Sequence, residues 1–396
     1  MFEECKNIPE SEFESFCNKK TIVEDAGLDK NIKYILDSNY CFRENEKGRI
    51  YLPNFFIRRN VTDTIIDSIT GNSIIYLLGN RVSGKTFVLI DILNRYREKS
   101  VLFFDSSLNI SDQSLQRLIN VKDQLLIFDT NTLSESQIIH ISSAYQKLSD
   151  NNNNVIIAVN SFDKDILRTV NRNMHLIFEL DNKYSDKEIE RYNSLVVQSN
   201  INKYSSKYTI LDYLLNIIDS DAFKDKNPII FEIQTKQQIA LFVLLLVKET
   251  ISTLDIGLFD LEMTIRDLHS KGLPIADYKL KSIVEIDKLS KLKLCSNAKI
   301  WTYRILRDTA SKKRYKDLIT SAFCHIISTY LAENADTKIY GKFIKFDMIN
   351  SFFKDASGGA GGLILEIYDK LESYLIEDWQ FYHQRAKCVL TLRNDN

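Results

Sequence analysis

Gly79-Asn80-Arg81-Val82-Ser83-Gly84-Lys85-Thr86 sets two glycines, a lysine and a hydroxyl at the spacing G-x-x-x-x-G-K-T. That combination suits one kind of chemistry, the cradling of nucleotide phosphates. Gly79 and Gly84 allow backbone conformations and close approaches that a Cβ would block. The amides of residues 82–86 are then free to face phosphate oxygens, reinforced by the positive end of a following helix. Lys85 is placed to reach the β- and γ-phosphates, and Thr86 to offer its hydroxyl to Mg²⁺. The alternative is an ordinary glycine-containing turn between a strand and a helix. The flanks argue against it, because SIIYLL precedes the loop and FVLIDIL follows it, the strand–loop–helix context that the motif requires.

Two further positions fit the same chemistry. Leu125-Leu126-Ile127-Phe128 ends in Asp129, an apolar strand delivering an acid that can orient Mg²⁺ through water. The run 155–159 ends in Asn160, a polar group at the tip of another buried strand. Ahead of the first strand, Phe55-Phe56-Ile57-Arg58-Arg59-Asn60 offers aromatic and arginine side chains to a nucleotide base, or is a linker with two solvated arginines. The expected catalytic set is therefore Lys85, Asp129 and Asn160. Gly79, Ser83, Gly84, Lys85, Thr86, Phe87 and Arg58 are expected to contact nucleotide, with Thr86 and Asp129 also holding the metal.

These residues need a sheet to align them. From residue 73 the apolar runs 73–78, 101–105, 125–129, 155–159 and 175–180 alternate with helical patterns at 61–70, 111–119 and 134–148. That alternation predicts a parallel α/β sheet. The asparagines at 151–154 read as a turn. Beyond residue 183 the patterns are helical: 185–197, 210–218, 235–252, 258–268, an amphipathic 283–294, 316–331, 343–353 and 379–392. Residues 293–305 read as a short hairpin or wing, with Trp301 in a core. The glycines within 357–362 lack a following G-K-[ST] and read as a flexible connector. The expected divisions are 1–50, helical or irregular; 51–182, the α/β core; 183–234, a helical lid; 235–310, a winged-helix-like unit; and 311–396, a helical region.

Composition sets the outer bounds. Hydrophobic residues make up 44% and charged residues 27%, with a net charge of −1, as in ordinary globular proteins. Six scattered cysteines with no C-x-x-C pair predict reduced thiols of a cytoplasmic protein, not a disulfide frame or zinc site. The five histidines show no ligand spacing. The acidic start of the chain has no apolar signal core, and the longest apolar run, 239–247, is far short of the roughly 20 residues a membrane span needs. Residues 288–316 hold ten Lys/Arg against one acid, Asp308. This is either a phosphate-binding surface or a solvated helical face, and the second reading is the better one.

Taken together, the FFIRRN approach, GNRVSGKT at 79–86, LLIFDT at 125–130 and VIIAVNS at 155–161 resemble the STAND-type P-loop NTPases, relatives of AAA+ ATPases. The resemblance runs from about residue 51 to about residue 305. The segment LIFDTNTLSESQIIHI in particular resembles bacterial STAND proteins of antiviral defence. The resemblance makes 79–86 the Walker A loop, Asp129 the Walker B acid and Asn160 the sensor 1 residue. It implies an ATP/ADP-binding signal-transduction switch with Mg²⁺, in which nucleotide state controls conformation, self-association or a protein partner. The family usually carries a glutamate after the Walker B acid to polarise water. Thr130 stands there instead, which implies weak ATPase activity, with Glu135 and Asp105 as substitute acids. Arg168 and Arg172 fall where a γ-phosphate sensor or a finger acting in trans could sit. No effector or sensor domain is evident, although the last helix resembles the start of an α-solenoid repeat. The alternatives are an AAA+-like ATPase acting on nucleic acid through a winged helix, and a non-catalytic scaffold that binds nucleotide for stability.

Overall fold

The computed structural model describes residues 20–24, 49–53, 55–69, 74–104, 110–161, 167, 175–197, 201–218, 220, 233, 235–248, 284–286, 292–294, 298–332 and 337–394. The chain divides into two compact units, Met1–Lys226 and Asn227–Asn396.

In the first unit, β1 (Lys20–Glu24) and β2 (Arg49–Pro53) form a separate parallel pair, with Ile22 opposite Tyr51. A strand inside the segment expected to be helical or irregular is a correction. Thr21, Ile22 and Val23 are β-branched and suit a pleated strand, but a run this short shows no periodicity.

Helix α1 (Asn60–Ile69) leads into β3 (Ile74–Gly79) and α2 (Lys85–Arg95). There follow β4 (Ser100–Phe104), α3 (Asp112–Asn120), β5 (Gln124–Phe128), α4 (Glu135–Ser143), α5 (Tyr145–Asp150), β6 (Asn154–Asn160) and β7 (His175–Leu180). The five strands β3 to β7 make one parallel sheet in the order β4-β5-β6-β3-β7. β3, β5 and β6 are buried at every position, the reason each reads as an unbroken apolar run. Alternate residues feed two cores. Ile75 and Leu77 pack with Ile65, Val88 and Leu89 of α1 and α2, while Ile74, Tyr76 and Leu78 pack with Leu115, Ile138 and Leu148 of α3 to α5. The helix expected over 134–148 is broken at Ala144, where ψ rises to 11°.

The asparagine turn fixes the amino-terminal end of the sheet. Asn151 Nδ2 donates to Ile119 O at 2.9 Å, Asn153 Oδ1 accepts from Gln124 N at 3.0 Å, and Asn154 Nδ2 donates to Ile69 O at 2.5 Å. Helices α6 (Asp186–Val196) and α7 (Ile210–Ile218) complete the unit. They are wedged together by Tyr184, Tyr192, Tyr204 and Tyr213, whose rings contact one another at centroid distances of 4.8–5.6 Å.

In the second unit, α8 (Lys236–Lys248) is the first helix among the described residues, and its Ile239 to Val247 are all buried; a helix apolar all round belongs inside a helical core. β8 (Val284–Ile286) and β9 (Leu292–Leu294) follow as an antiparallel hairpin, with Glu285 opposite Lys293. The amphipathic helix expected over 283–294 is thus corrected. Val284, Ile286, Leu292 and Leu294 alternate with Glu285 and Lys293 at a period of two, a strand pattern. The wing expected over 293–305 is corrected as well, because α9 (Ala298–Ser311) occupies most of it. Ile300, Tyr303, Leu306 and Ala310 are buried at helical spacing, and Trp301 is buried with them.

A 3₁₀ turn (Lys313–Tyr315) precedes α10 (Lys316–Ala332), α11 (Thr337–Phe343), α12 (Phe346–Phe353), α13 (Ala360–Leu371) and α14 (Trp379–Asn394). α10 packs on α8 and α13, and α13 packs on α14. The glycine cluster is more than a connector, since α13 starts inside it at Ala360. The helix expected over 258–268 lies outside the described residues. Among the described residues, no helix is long and apolar enough to cross a membrane.

Candidate functional site

The loop between β3 and α2 lies at the carboxyl end of a central strand. Gly79 closes β3, and a Cβ there would sit 2.6 Å from Ser83 Oγ and 3.1 Å from Lys85 Cγ. A side chain at that position would force the Ser83 and Lys85 side chains to shift. Val82 and Gly84 both take positive φ, 60° and 91°. For a β-branched residue this is a strained conformation, costing about 1–3 kcal/mol, of the kind that collects at ligand-binding loops. Gly84 is the N-cap of α2 and supplies no capping side chain. The first-turn amides of α2 are therefore not capped by their own N-cap residue. Ser83 Oγ is buried and makes no hydrogen bond.

Four side chains meet at this loop. Lys85 Nζ donates to Gly79 O and Asn80 O at 2.9 Å each, and to Asn160 Oδ1 at 3.2 Å. Asn160 is delivered by strand register, because it lies beside Gly79 in the β3–β6 pairing. Thr86 Oγ1 donates to Asp129 Oδ2 at 2.8 Å. The other carboxylate oxygen of Asp129 accepts from Thr130 N at 2.7 Å. The end of β5 is held against β4 by Asp129 N donating to Phe104 O at 2.8 Å. Thr132 Oγ1 adds a bond to Asp129 O at 2.8 Å. Lys85, Asp129 and Asn160 are all buried, so their charges and dipoles act at close range in a partly desolvated setting.

Phe87 follows on α2, and its ring stands 5.8 Å from that of Phe56. Arg58, expected at the nucleotide, is half-exposed and pairs with the buried Asp91 of α2 at 3.3 Å. Burial pushes the Asp91 carboxyl above its ordinary value, with Arg58 and Arg95 pulling it back down.

The neighbouring residue, Arg59, is the one that reaches the loop, and sequence reasoning missed it. Its guanidinium is buried and donates to Ser83 O at 2.9 Å, to Glu188 Oε1 at 3.2 Å, and to Asp181 O and Lys183 O at 3.0 Å. It also lies 5.1 Å over the Tyr184 ring. Glu188 accepts in addition from Asn60 N at 2.7 Å and Ser185 N at 2.8 Å. Burial opposes its ionisation, yet Arg59 and these amides hold the carboxyl below its ordinary value.

Glu135 is exposed in the first turn of α4, between Ser134 and Gln137 of the capping box. Asp105, Arg168 and Arg172 lie outside the described residues. Much of the basic stretch is engaged within its own unit. Lys312 pairs with Asp308 at 2.8 Å, and Lys316 with Glu366. The buried Arg307 donates to Ser351 O at 3.2 Å, and Arg314 lies 4.7 Å over the Tyr315 ring. Among the described residues no group of three or more His, Cys, Asp or Glu could hold a metal ion. A cation here would need oxygens from a ligand as well as from Thr86 and Asp129. No protein-family profile matches this chain, and no curated protein is significantly similar to it.

Proposed function

We propose that the 79–86 loop binds the phosphates of ATP or ADP, and that the first unit is a P-loop nucleotide switch of the STAND kind with slow hydrolysis. The observation that carries this reading is the convergence of Lys85, Thr86, Asp129 and Asn160 around the first turn of α2, at the carboxyl ends of β3, β5 and β6. Open parallel sheets take their ligands at that end. An unsatisfied Ser83 hydroxyl, a strained Val82 and a helix start without a side-chain cap suit an anion placed there;.

Each side chain has a task in this reading. Lys85 exchanges its bonds to Gly79 O and Asn80 O for phosphate oxygens. Asn160 stays beside the ammonium and orients it. Asp129 accepts a hydrogen bond from the Thr86 hydroxyl, which leaves the Thr86 oxygen lone pairs turned toward a hard cation. Mg²⁺ fits an oxygen-only set that relies on phosphate to complete it, and when bound it would neutralise charge on the β- and γ-phosphates. Thr130 offers no carboxylate beside Asp129, so nucleotide exchange, not turnover, is the property on which a regulatory switch would depend. The helical second unit with its β8–β9 hairpin is the part proposed to respond, as a winged-helix-like adjunct.

The test is calorimetric titration of ATP and ADP, with and without Mg²⁺, into wild type and Lys85→Ala. Losing charge-assisted bonds worth about 3 kcal/mol predicts an affinity drop of about 100-fold, with circular dichroism unchanged. Undiminished affinity in a folded variant would overturn the proposal.

A further inference from the structure

Helix α14 carries apolar side chains on two opposite faces. Phe381 and Cys388 are buried within the second unit, and Cys388 Sγ lies 3.5 Å from Gly361 O. On the other side Trp379, Tyr382 and Leu390 are 79%, 37% and 60% exposed, with the exposed Ala386 between them. Positions 379, 382, 386 and 390 fall on one face of a 3.6-residue helix. Tyr374 and Ile376, just ahead of the helix, are 46% and 68% exposed. Single exposed apolar residues need no explanation, but a periodic stripe of large ones does.

We infer that this face docks a second copy of the chain, with the two α14 helices antiparallel. Size supports it. A standard interface takes about 800 Å² from each partner, a little over half of it apolar, or roughly 450 Å². One tryptophan and two tyrosines, at up to about 150–250 Å² each when wholly exposed, supply about that together with Ile376 and Leu390. Shape supports it too. An antiparallel pair related by a twofold axis near position 384 sets Trp379 against Leu390 and Tyr382 against Ala386, large opposite small at each level. The stripe residues span about 16 Å of helix, enough for two such levels on each side of the axis.

Charge does not oppose the contact. Arg385 is already paired with Asp369 and Glu372 at 2.7 and 2.9 Å, and Lys387 with Asp347. Closing the face strands neither Arg385 nor Lys387 for want of a partner, and antiparallel helices align their dipoles favourably. The contact does not involve the nucleotide site, so it stands or falls separately from the function proposed above.

The experiment is sedimentation of the full chain at about 10 μM, a concentration that populates a dimer of micromolar affinity. Wild type should run at about twice its chain mass of 46.0 kDa with ATP, ADP or neither. Trp379→Arg and Leu390→Glu should each run as monomers with unchanged thermal melts, because both side chains point away from the core. An equimolar mixture of the two variants should recover the dimer, since only antiparallel pairing brings position 379 of one copy to position 390 of the other. A monomeric wild type, a dimer that survives both substitutions, or a mixture that stays monomeric overturns the inference. Association that appears only with nucleotide and ignores both substitutions also overturns it, while leaving the nucleotide reading intact.

Discussion

The Arg59 guanidinium donates to Glu188 Oε1 at 3.2 Å and, with another nitrogen, to Ser83 O at 2.9 Å. One buried side chain thus ties the 79–86 loop to the first turn of α6. Arg59→Ala would strand Glu188, and breaking a buried pair this way costs about 3–5 kcal/mol. Arg59→Lys should recover little, because a point charge cannot serve four acceptors set for a planar fork. Hydrogen-exchange mass spectrometry should show residues 81–86 and 186–196 losing protection together. Loss confined to one of the two segments would mean that the side chain fills space without coupling them.

Glu188 also sets a pH dependence. Its carboxyl is held below its ordinary value of 4.5, so the folded state binds the proton less readily than the unfolded chain does. The stability it contributes is present above the ordinary value and is lost as pH falls through the lower folded value. Asp91 has the opposite sign, because burial raises its pKa. Its contribution is present below the ordinary value and is lost as pH rises through the raised one. Glu188→Gln should therefore flatten the acid limb of a denaturation profile taken below pH 4.5. An acid limb as steep as that of wild type would assign it to other carboxylates.

Hydrolysis should be slow. Thr130 N is occupied by Asp129 Oδ1 at 2.7 Å, and its side chain cannot take a proton from water as a carboxylate does. Phosphate release should fall well below the roughly 1–100 per second of phosphoryl-transfer enzymes such as kinases. Thr130→Glu should speed it up while leaving ADP affinity within about twofold, since the new acid lies beside the phosphate contacts and not among them. A fast wild type that slows in Glu135→Gln would identify the acid at the start of α4 as the base.

The centre of the sheet was legible because β3, β5 and β6 are parallel and covered on both faces. Each of the runs 74–78, 125–128 and 155–159 is apolar throughout, and a strand buried on one side only would have been harder to separate from a helix;. Lys85, Thr86, Asp129 and Asn160 were legible for the same reason, since residues at the tips of neighbouring parallel strands must meet. Arg59 was not. Arg58 and Arg59 are adjacent and chemically identical, and which one turns inward depends on where α1 begins and on Glu188, far along the chain. The hairpin at 284–294 was misread because its strands are three residues each, too few for a period of two to stand out beside Leu and Lys spacing that also suits a helix.

Two adjacent glycines of α13 should respond to alanine with opposite signs. A Cβ on Gly361 would meet the Leu392 side chain of α14, with Cγ at 2.7 Å, whereas a Cβ on Gly362 would meet nothing within 4 Å. Gly362→Ala therefore gains the helix preference of alanine and a less flexible unfolded chain, and should stabilise the second unit by about 0.4–1 kcal/mol. Gly361→Ala collects the same gain but forces α14 outward or Leu392 off its rotamer. Overpacking of this kind costs about 1–3 kcal/mol, so the net effect should be destabilising. Leu392→Ala in the same chain removes the clash, and the double variant should regain most of what Gly361→Ala loses. Urea denaturation followed through Trp379 and the tyrosines of α13 and α14 measures all three. Equal responses from the two glycine variants would show that α13 and α14 do not pack this closely.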